Sequence, residues 1–138
     1  MTAGDILTSG NKYPDRALKY PPMLPMLHDA QVLATRVTQL LTSYASSRPG
    51  LEAEPEVSSG YRPAEVNAMT SGAAKHSNHM VCRAVDIADA KGELAKWCVA
   101  NLDLLEHHQL WMEAPKYTVG WVHLQSVPPK SNHRVFVP

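Results

Sequence analysis

Apolar residues recur along this chain in two different periods, and the switches between them mark out its elements. From about Asp29 to Ser46 the positions Leu33, Val37, Leu40, Leu41 and Tyr44 fall on one helical face, which predicts a packing helix ended by Arg48-Pro49-Gly50. A second stripe, Leu94, Trp97, Cys98, Leu102 and Leu105, predicts a helix over 91–108. Asp89 would be its N-cap, and His107-His108 would place favourable charge at its C-terminal end. Period two takes over at 83–88, where Val85 and Ile87 point toward a core and Ala84, Asp86 and Ala88 point away from it. The same alternation returns at 109–113 and 121–125, which read as a hairpin closed by the loop 114–120. Pairing Glu113 with Trp121 sets Trp111 opposite His123 and Gln109 opposite Gln125, so that Glu113 and His123 share a face as diagonal neighbours. Leu110, Met112, Val122 and Leu124 make the other face uniformly apolar.

The remaining segments carry weaker patterns. Residues 1–27 hold Pro14, Pro21, Pro22 and Pro25 with little periodicity and read as a proline-rich N-terminal arm wrapped over the domain. An acidic loop (Glu52, Glu54, Glu56) leads to a short strand near Val57-Ser58-Ser59. Gly60-Tyr61-Arg62-Pro63 follows, then a helical turn through Ala64–Met69 and a loop that delivers His79. The tail from Pro128 reads as a loop with a short edge segment. These elements predict an α+β fold: a small antiparallel sheet with helices packed on one face and a polar cleft on the other. A length of 138 residues predicts one domain, with its core at about 29–138.

Composition narrows the function. Thirteen basic residues balance thirteen acidic ones, so the net charge recruits neither nucleic acid nor an anionic membrane. No apolar run approaches the roughly 20 residues that span a bilayer, and the N-terminus lacks the basic start and apolar core of a secretory signal. We therefore expect no membrane insertion and no signal peptide, and a monomer. Cys82 and Cys98 read as small buried thiols, and the lack of a Cys-x-x-Cys pair argues against a structural zinc finger.

The chemistry concentrates in Ser77–Asp86 and in Trp121-Val122-His123. A carboxylate in mid-strand between Val85 and Ile87 must face water or be paired, because an unpaired buried charge is very costly. A metal shared by His79, Asp86 and His123 would satisfy all three groups, and Ala84 and Ala88 leave room beside the carboxylate. Nitrogen and oxygen donors in a set of three suit one zinc ion in an open site, although other divalent ions share that preference.

Ser59-Gly60-Tyr61-Arg62 with Asn67, then Ser77-x-His79-x-x-Cys82-x-Ala84-x-Asp86, then Trp121-Val122-His123, resembles the M15 family of zinc peptidases. These are the peptidoglycan-cutting D-alanyl-D-alanine carboxypeptidases and dipeptidases and the phage L-alanyl-D-glutamate endolysins, with a fold shared by hedgehog signalling domains. The resemblance runs from about Val57 to Gln125 and more weakly through Arg134. It implies that His79, Asp86 and His123 ligate zinc and that Arg62 is the cation near the substrate carbonyl or carboxylate. Ser77 would orient a ligand, Tyr61 and Asn67 would brace the Arg62 loop, and Trp121 and Gln125 would stand beside the metal or substrate.

Two features depart from the family pattern. Cys82 stands where glycine is usual, which implies a backbone there that tolerates a side chain. Gly120 and Trp121 stand where different members carry their base, as Glu-x-x-His or as a histidine two before the ligand. Glu113, turned toward His123 from the adjacent strand, becomes the candidate general base.

The resemblance thus implies metal-assisted hydrolysis of peptidoglycan stem or cross-link peptides containing D-amino acids, in the manner of a phage endolysin. Such a protein is made in the host cytoplasm and acts on the wall after release or export. A D-alanyl-D-alanine carboxypeptidase and a non-catalytic zinc-stabilised binding domain are the alternatives. A deaminase-type zinc enzyme is excluded, since there is no His-x-Glu with Pro-Cys-x-x-Cys.

Overall fold

The longest apolar stripe becomes the longest helix. In a computed structural model of the chain, which describes residues 1–50 and 53–138, α3 spans Leu24–Ser46 and buries Leu33, Val37, Leu40, Leu41 and Tyr44 along one face. It starts ahead of the expected Asp29 because Pro25 sits in its first turn, where a missing backbone N–H leaves no bond unmade. Glu52 of the expected acidic loop lies outside the described residues.

Residues 1–27, expected as an extended arm or loop, carry two short helices. Thr2 caps α1 (Ala3–Thr8): its hydroxyl accepts from the Asp5 N–H at 3.2 Å, and the Asp5 carboxylate accepts from the Thr2 N–H at 2.6 Å. This reciprocal cap lets a short helix form and drive Ile6 fully into the core. A loop and a second short helix, α2 (Arg16–Lys19), lead into α3.

Among the described residues, five strands form one sheet in the order β1-β2-β4-β3-β5, with β1 at Val57–Ser59, β2 at Ala84–Ala88, β3 at Trp111–Glu113, β4 at Trp121–Gln125 and β5 at Val135–Phe136. The central pair β2 and β4 is antiparallel, with Val85 opposite Leu124, Asp86 opposite His123 and Ile87 opposite Val122. The expected all-antiparallel sheet is corrected at one edge, where β5 runs parallel to β3 through Met112 and Val135. The chain reaches that edge by a long return from β4 instead of by a tight hairpin.

Val85, Ile87, Met112, Val122 and Leu124 on the inner face join Leu33, Val37, Leu40, Leu94 and Leu105 in one core. Each such side chain, fully removed from water, contributes roughly 1.5–3 kcal/mol. The opposite face of β2 and β4 is left to Asp86 and His123. No helix among the described residues is long and apolar enough to cross a membrane.

The helix expected over 91–108 is two helices, α5 (Glu93–Ala100) and α6 (Leu102–His107), broken at Asn101 with φ −130° and ψ 50°. The Asn101 side-chain amide donates to the Trp97 carbonyl at 2.8 Å, a local bond that competes with continuing the helix. The break turns Leu102 out of the apolar stripe, leaving it 42% exposed. Asp89 still serves the helix start, its carboxylate accepting from Leu94 N–H at 3.1 Å and Ala95 N–H at 2.9 Å, although Gly92 occupies the N-cap position itself.

The register of the last hairpin also differs from expectation. Trp111 pairs with Gln125 and Met112 with Leu124, a shift of two from the expected Glu113–Trp121 pairing. A 3-10 turn at Pro115–Tyr117 and a bond from Trp121 N–H to the Thr118 carbonyl at 3.2 Å shape the connection, so the start of β4 runs past the end of β3 and pairs with β2 alone. A shift of two preserves which side chains share a face. Its effect is to bring Glu113 level with His123 instead of diagonal to it. Gln109 lies outside the strand, at φ 53° after α6.

Candidate metal centre

Strand pairing delivers the first two groups. Asp86 and His123 are directly opposed on β2 and β4, so alternation sends both side chains off the face away from the helices. His79 arrives from a 3-10 turn at Asn78–Val81, started by Ser77, whose hydroxyl accepts from the His79 N–H at 3.2 Å. Ser77 therefore fixes the backbone of His79 and leaves its ring to another partner. One ligand atom from each of His79, Asp86 and His123 lies within 4.8 Å of the others.

The turn leaves through Cys82 at φ 59° and ψ 28°, a left-handed backbone with a fully buried thiol. The expectation that this position tolerates a side chain is thus corrected. The conformation costs a non-glycine residue roughly 1–2 kcal/mol, which is why glycine suits the position.

Hydrogen bonds set the tautomers of both imidazoles. His79 Nδ1–H donates to the Gly60 carbonyl at 2.8 Å; a carbonyl only accepts, so Nδ1 carries a proton, and Nε2 faces Asp86 Oδ1 at 3.3 Å. Gln125 does the same for His123. Its amide nitrogen donates to the Val127 carbonyl at 2.7 Å, which turns Oε1 toward His123 Nε2 at 3.3 Å and toward the Asn78 amide at 3.3 Å. His123 Nε2 is then the donor, and Nδ1 faces Asp86 Oδ1 at 2.8 Å.

Two imidazole nitrogens and a carboxylate oxygen thus converge on one point, an arrangement suited to a cation among them. Burial alone would raise the Asp86 carboxyl, but hydrogen bonds from His123 and His79 outweigh it and hold Asp86 well below the usual carboxylate range. Burial alone would lower His123, and the bond to Asp86 outweighs it, lifting the imidazole above its ordinary value. Two nitrogens and one oxygen, with the outer imidazole atoms tied down by Gly60 and Gln125, are a donor set that fits a divalent ion of the zinc type.

These groups sit in a cleft of about 460 Å³ whose lining includes Arg62, Glu113, Trp121 and Gln125. The Glu113 carboxyl is raised by burial foremost, against the lowering effect of His123. The Arg62 guanidinium is lowered by burial, partly offset by Asp86, and its buried Nε has no partner. Trp121 stands on the rim, 39% exposed. Gln125 is buried beneath His123.

Tyr61 and Asn67 stand off the cleft. The Tyr61 hydroxyl donates to the Tyr20 carbonyl at 3.2 Å, and the Asn67 amide donates to the Ala74 carbonyl at 2.9 Å, which ties α4 (Ala64–Ala68) to the loop before His79. Sequence reasoning missed Gly60 and Phe136. Gly60 is required because a Cβ there would lie 2.0 Å from the Ile6 carbonyl oxygen. Phe136 reaches the cleft from β5 and stands edge-on to His123 at 6.2 Å between ring centroids. The signal for Gly60 was its place in Ser-Gly-Tyr-Arg; for Phe136 there was only an apolar pair in a polar tail.

A His-Asp-His set, with two members on the sheet and one on a 3-10 turn, beside a carboxylate and a half-buried arginine is the equipment of a metal-dependent hydrolase. Residues 26–124 match the family described as Peptidase M15, and the chain belongs to that family. Membership implies a metallopeptidase of a zinc-dependent family. No curated protein and no solved structure matches the chain.

Proposed function

We propose that this protein is a zinc peptidase that hydrolyses peptide bonds of bacterial peptidoglycan, in stem or cross-link peptides containing D-amino acids, as an endolysin-type endopeptidase. The observation that carries this reading is the convergence of His79 Nε2, Asp86 Oδ1 and His123 Nδ1 in a cleft that also holds Glu113. His79, Asp86 and His123 would hold the ion. When bound, zinc supplies a Lewis acid for the scissile carbonyl and lowers the pKa of its water to about 7.

Glu113 takes a proton from the attacking water. Burial raises its carboxyl, so the proton is held long enough to be passed to the leaving amine as the carbon–nitrogen bond breaks. Arg62 presents a half-buried guanidinium to the oxyanion that forms as water adds to the carbonyl. Trp121 forms an apolar wall at the rim and limits access of bulk water. The protein would meet its substrate at the cell wall after release or export.

Arg62 also favours a second reading. A buried, unpartnered guanidinium nitrogen suits the terminal carboxylate of a D-alanyl-D-alanine peptide, as a carboxypeptidase would require. Mass analysis of muropeptides after digestion tests both. New amino termini support the endopeptidase, and free D-alanine supports the carboxypeptidase. A zinc-loaded protein that cuts no peptidoglycan chemotype supports a non-catalytic binding domain.

A further inference from the structure

The family match begins at residue 26, yet the segment before it touches the site through the backbone of Gly60-Tyr61. Three consecutive peptide planes there are each held by an N-terminal residue. The Gly60 N–H donates to the Ser9 hydroxyl at 2.9 Å in a buried contact. The Tyr61 N–H donates to the Ile6 carbonyl at 2.8 Å. The Tyr61 carbonyl accepts from Arg16 Nη1 at 3.0 Å.

The middle plane is the decisive one. The Tyr61 N–H and the Gly60 carbonyl belong to the same rigid peptide unit and point to opposite sides of the chain. One side is fixed by Ile6, and the other receives the His79 Nδ1 proton at 2.8 Å. Turning this plane to release Ile6 would also swing the carbonyl away from the imidazole. The Arg62 N–H closes the assembly by donating to the His79 carbonyl at 3.0 Å.

The N-terminal side of this contact is itself well anchored. Ile6 and Ser9 are fully or almost fully buried, and Arg16 lies with its guanidinium 3.7 Å from the centroid of the Tyr13 ring. No side chain larger than a hydrogen fits at Gly60, because the Ile6 backbone passes too close.

We propose that residues 6–16 are a positioning device for the metal centre: Ile6, Ser9 and Arg16 clamp the Gly60–Tyr61 peptide and so fix the ring orientation and tautomer of His79. The inference rests on the metal-site reading for its consequence in zinc affinity, while the His79 tautomer is a property of the metal-free protein. Groups that orient a metal-binding histidine typically change affinity by about 10–100-fold when removed.

The experiment compares Arg16→Gln, Arg16→Lys and Ser9→Ala with a control, Val37→Ala, that weakens the core but removes none of these hydrogen bonds. Zinc affinity is measured by competition with a chelator, and nitrogen NMR shifts of the His79 ring report its tautomer without metal. Arg16→Gln is expected to weaken zinc binding about 10-fold and to move the His79 ring shifts toward a tautomer mixture. Arg16→Lys, which still donates to the Tyr61 carbonyl, restores most of both, and Val37→Ala changes neither. Wild-type affinity and unchanged ring shifts in Arg16→Gln would overturn the proposal, and this half-buried position decides it even if Ser9→Ala does not fold. A wild-type protein that binds no zinc would refute the metal reading instead, and the ring shifts would still decide the clamp.

Discussion

Asp86 and His123 face each other across the two central strands, with Oδ1 and Nδ1 2.8 Å apart. The sheet itself sets this spacing, because directly opposed residues of an antiparallel pair project side by side. Replacing Asp86 by alanine removes the one anionic donor and leaves two imidazoles whose lone pairs share no charge partner. Zinc affinity should fall at least about 100-fold, at the upper end of what loss of even a supporting group produces. Isothermal titration of the purified variant gives the answer, and an affinity equal to wild type would place the metal elsewhere.

Gln125 acts one step removed from the metal. Its side-chain oxygen receives the His123 Nε2 proton only because its amide nitrogen is committed to Val127. Gln125→Ala frees the His123 ring to adopt the other tautomer, and zinc affinity should drop about 10–100-fold with binding still measurable. Unaltered affinity in this variant would show that the ring is held by packing alone.

Glu113→Gln separates chemistry from binding. The amide keeps the shape of the side chain but cannot take up a proton, so zinc content should match wild type while kcat falls about 10²–10⁴-fold. Burial raises the Glu113 carboxyl, so the base is protonated at a pH higher than for an ordinary carboxylate. As pH falls through that raised value the rate should fall with it, and the acid limb of kcat/KM should lie above the usual carboxylate range. Activity that survives in Glu113→Gln would assign the proton transfer to another group.

The two cysteines offer a test of the core. Burial pushes both the Cys82 and Cys98 thiols up to about 12, so neither supplies thiolate near neutral pH. Iodoacetamide should leave the native protein unmodified and alkylate both cysteines after denaturation, as read by intact mass. Rapid modification of the native chain would mean that the turn at Cys82 opens.

Much of this arrangement was legible in the sequence wherever one period dominated. The stripe Leu33 to Tyr44 and the alternation Val85-Asp86-Ile87 each had a single burial solution, and both formed as expected. The three ligand candidates could be picked out because a mid-strand carboxylate needs a partner. What escaped was set by single side-chain bonds. Asn101 interrupts a helix whose apolar spacing gave no hint of it, through one amide bond to Trp97. Thr2 and Asp5 build a helix start in a segment dominated by prolines, and with it the anchor for Ile6. The register around Glu113 depended on a 3-10 turn that loop length alone does not specify. Gly60 was visible as a motif residue, but its carbonyl acts on His79 only through long-range folding.

The His79, Asp86 and His123 cluster is proposed as a working zinc site for cutting peptidoglycan peptides. Its most direct test is mass spectrometry of purified peptidoglycan digested by the protein with one equivalent of zinc, with and without a chelator. Cleaved peptide bonds should appear only in the zinc-loaded sample. A protein that binds zinc stoichiometrically at these three residues and leaves every peptidoglycan chemotype intact would contradict the proposal.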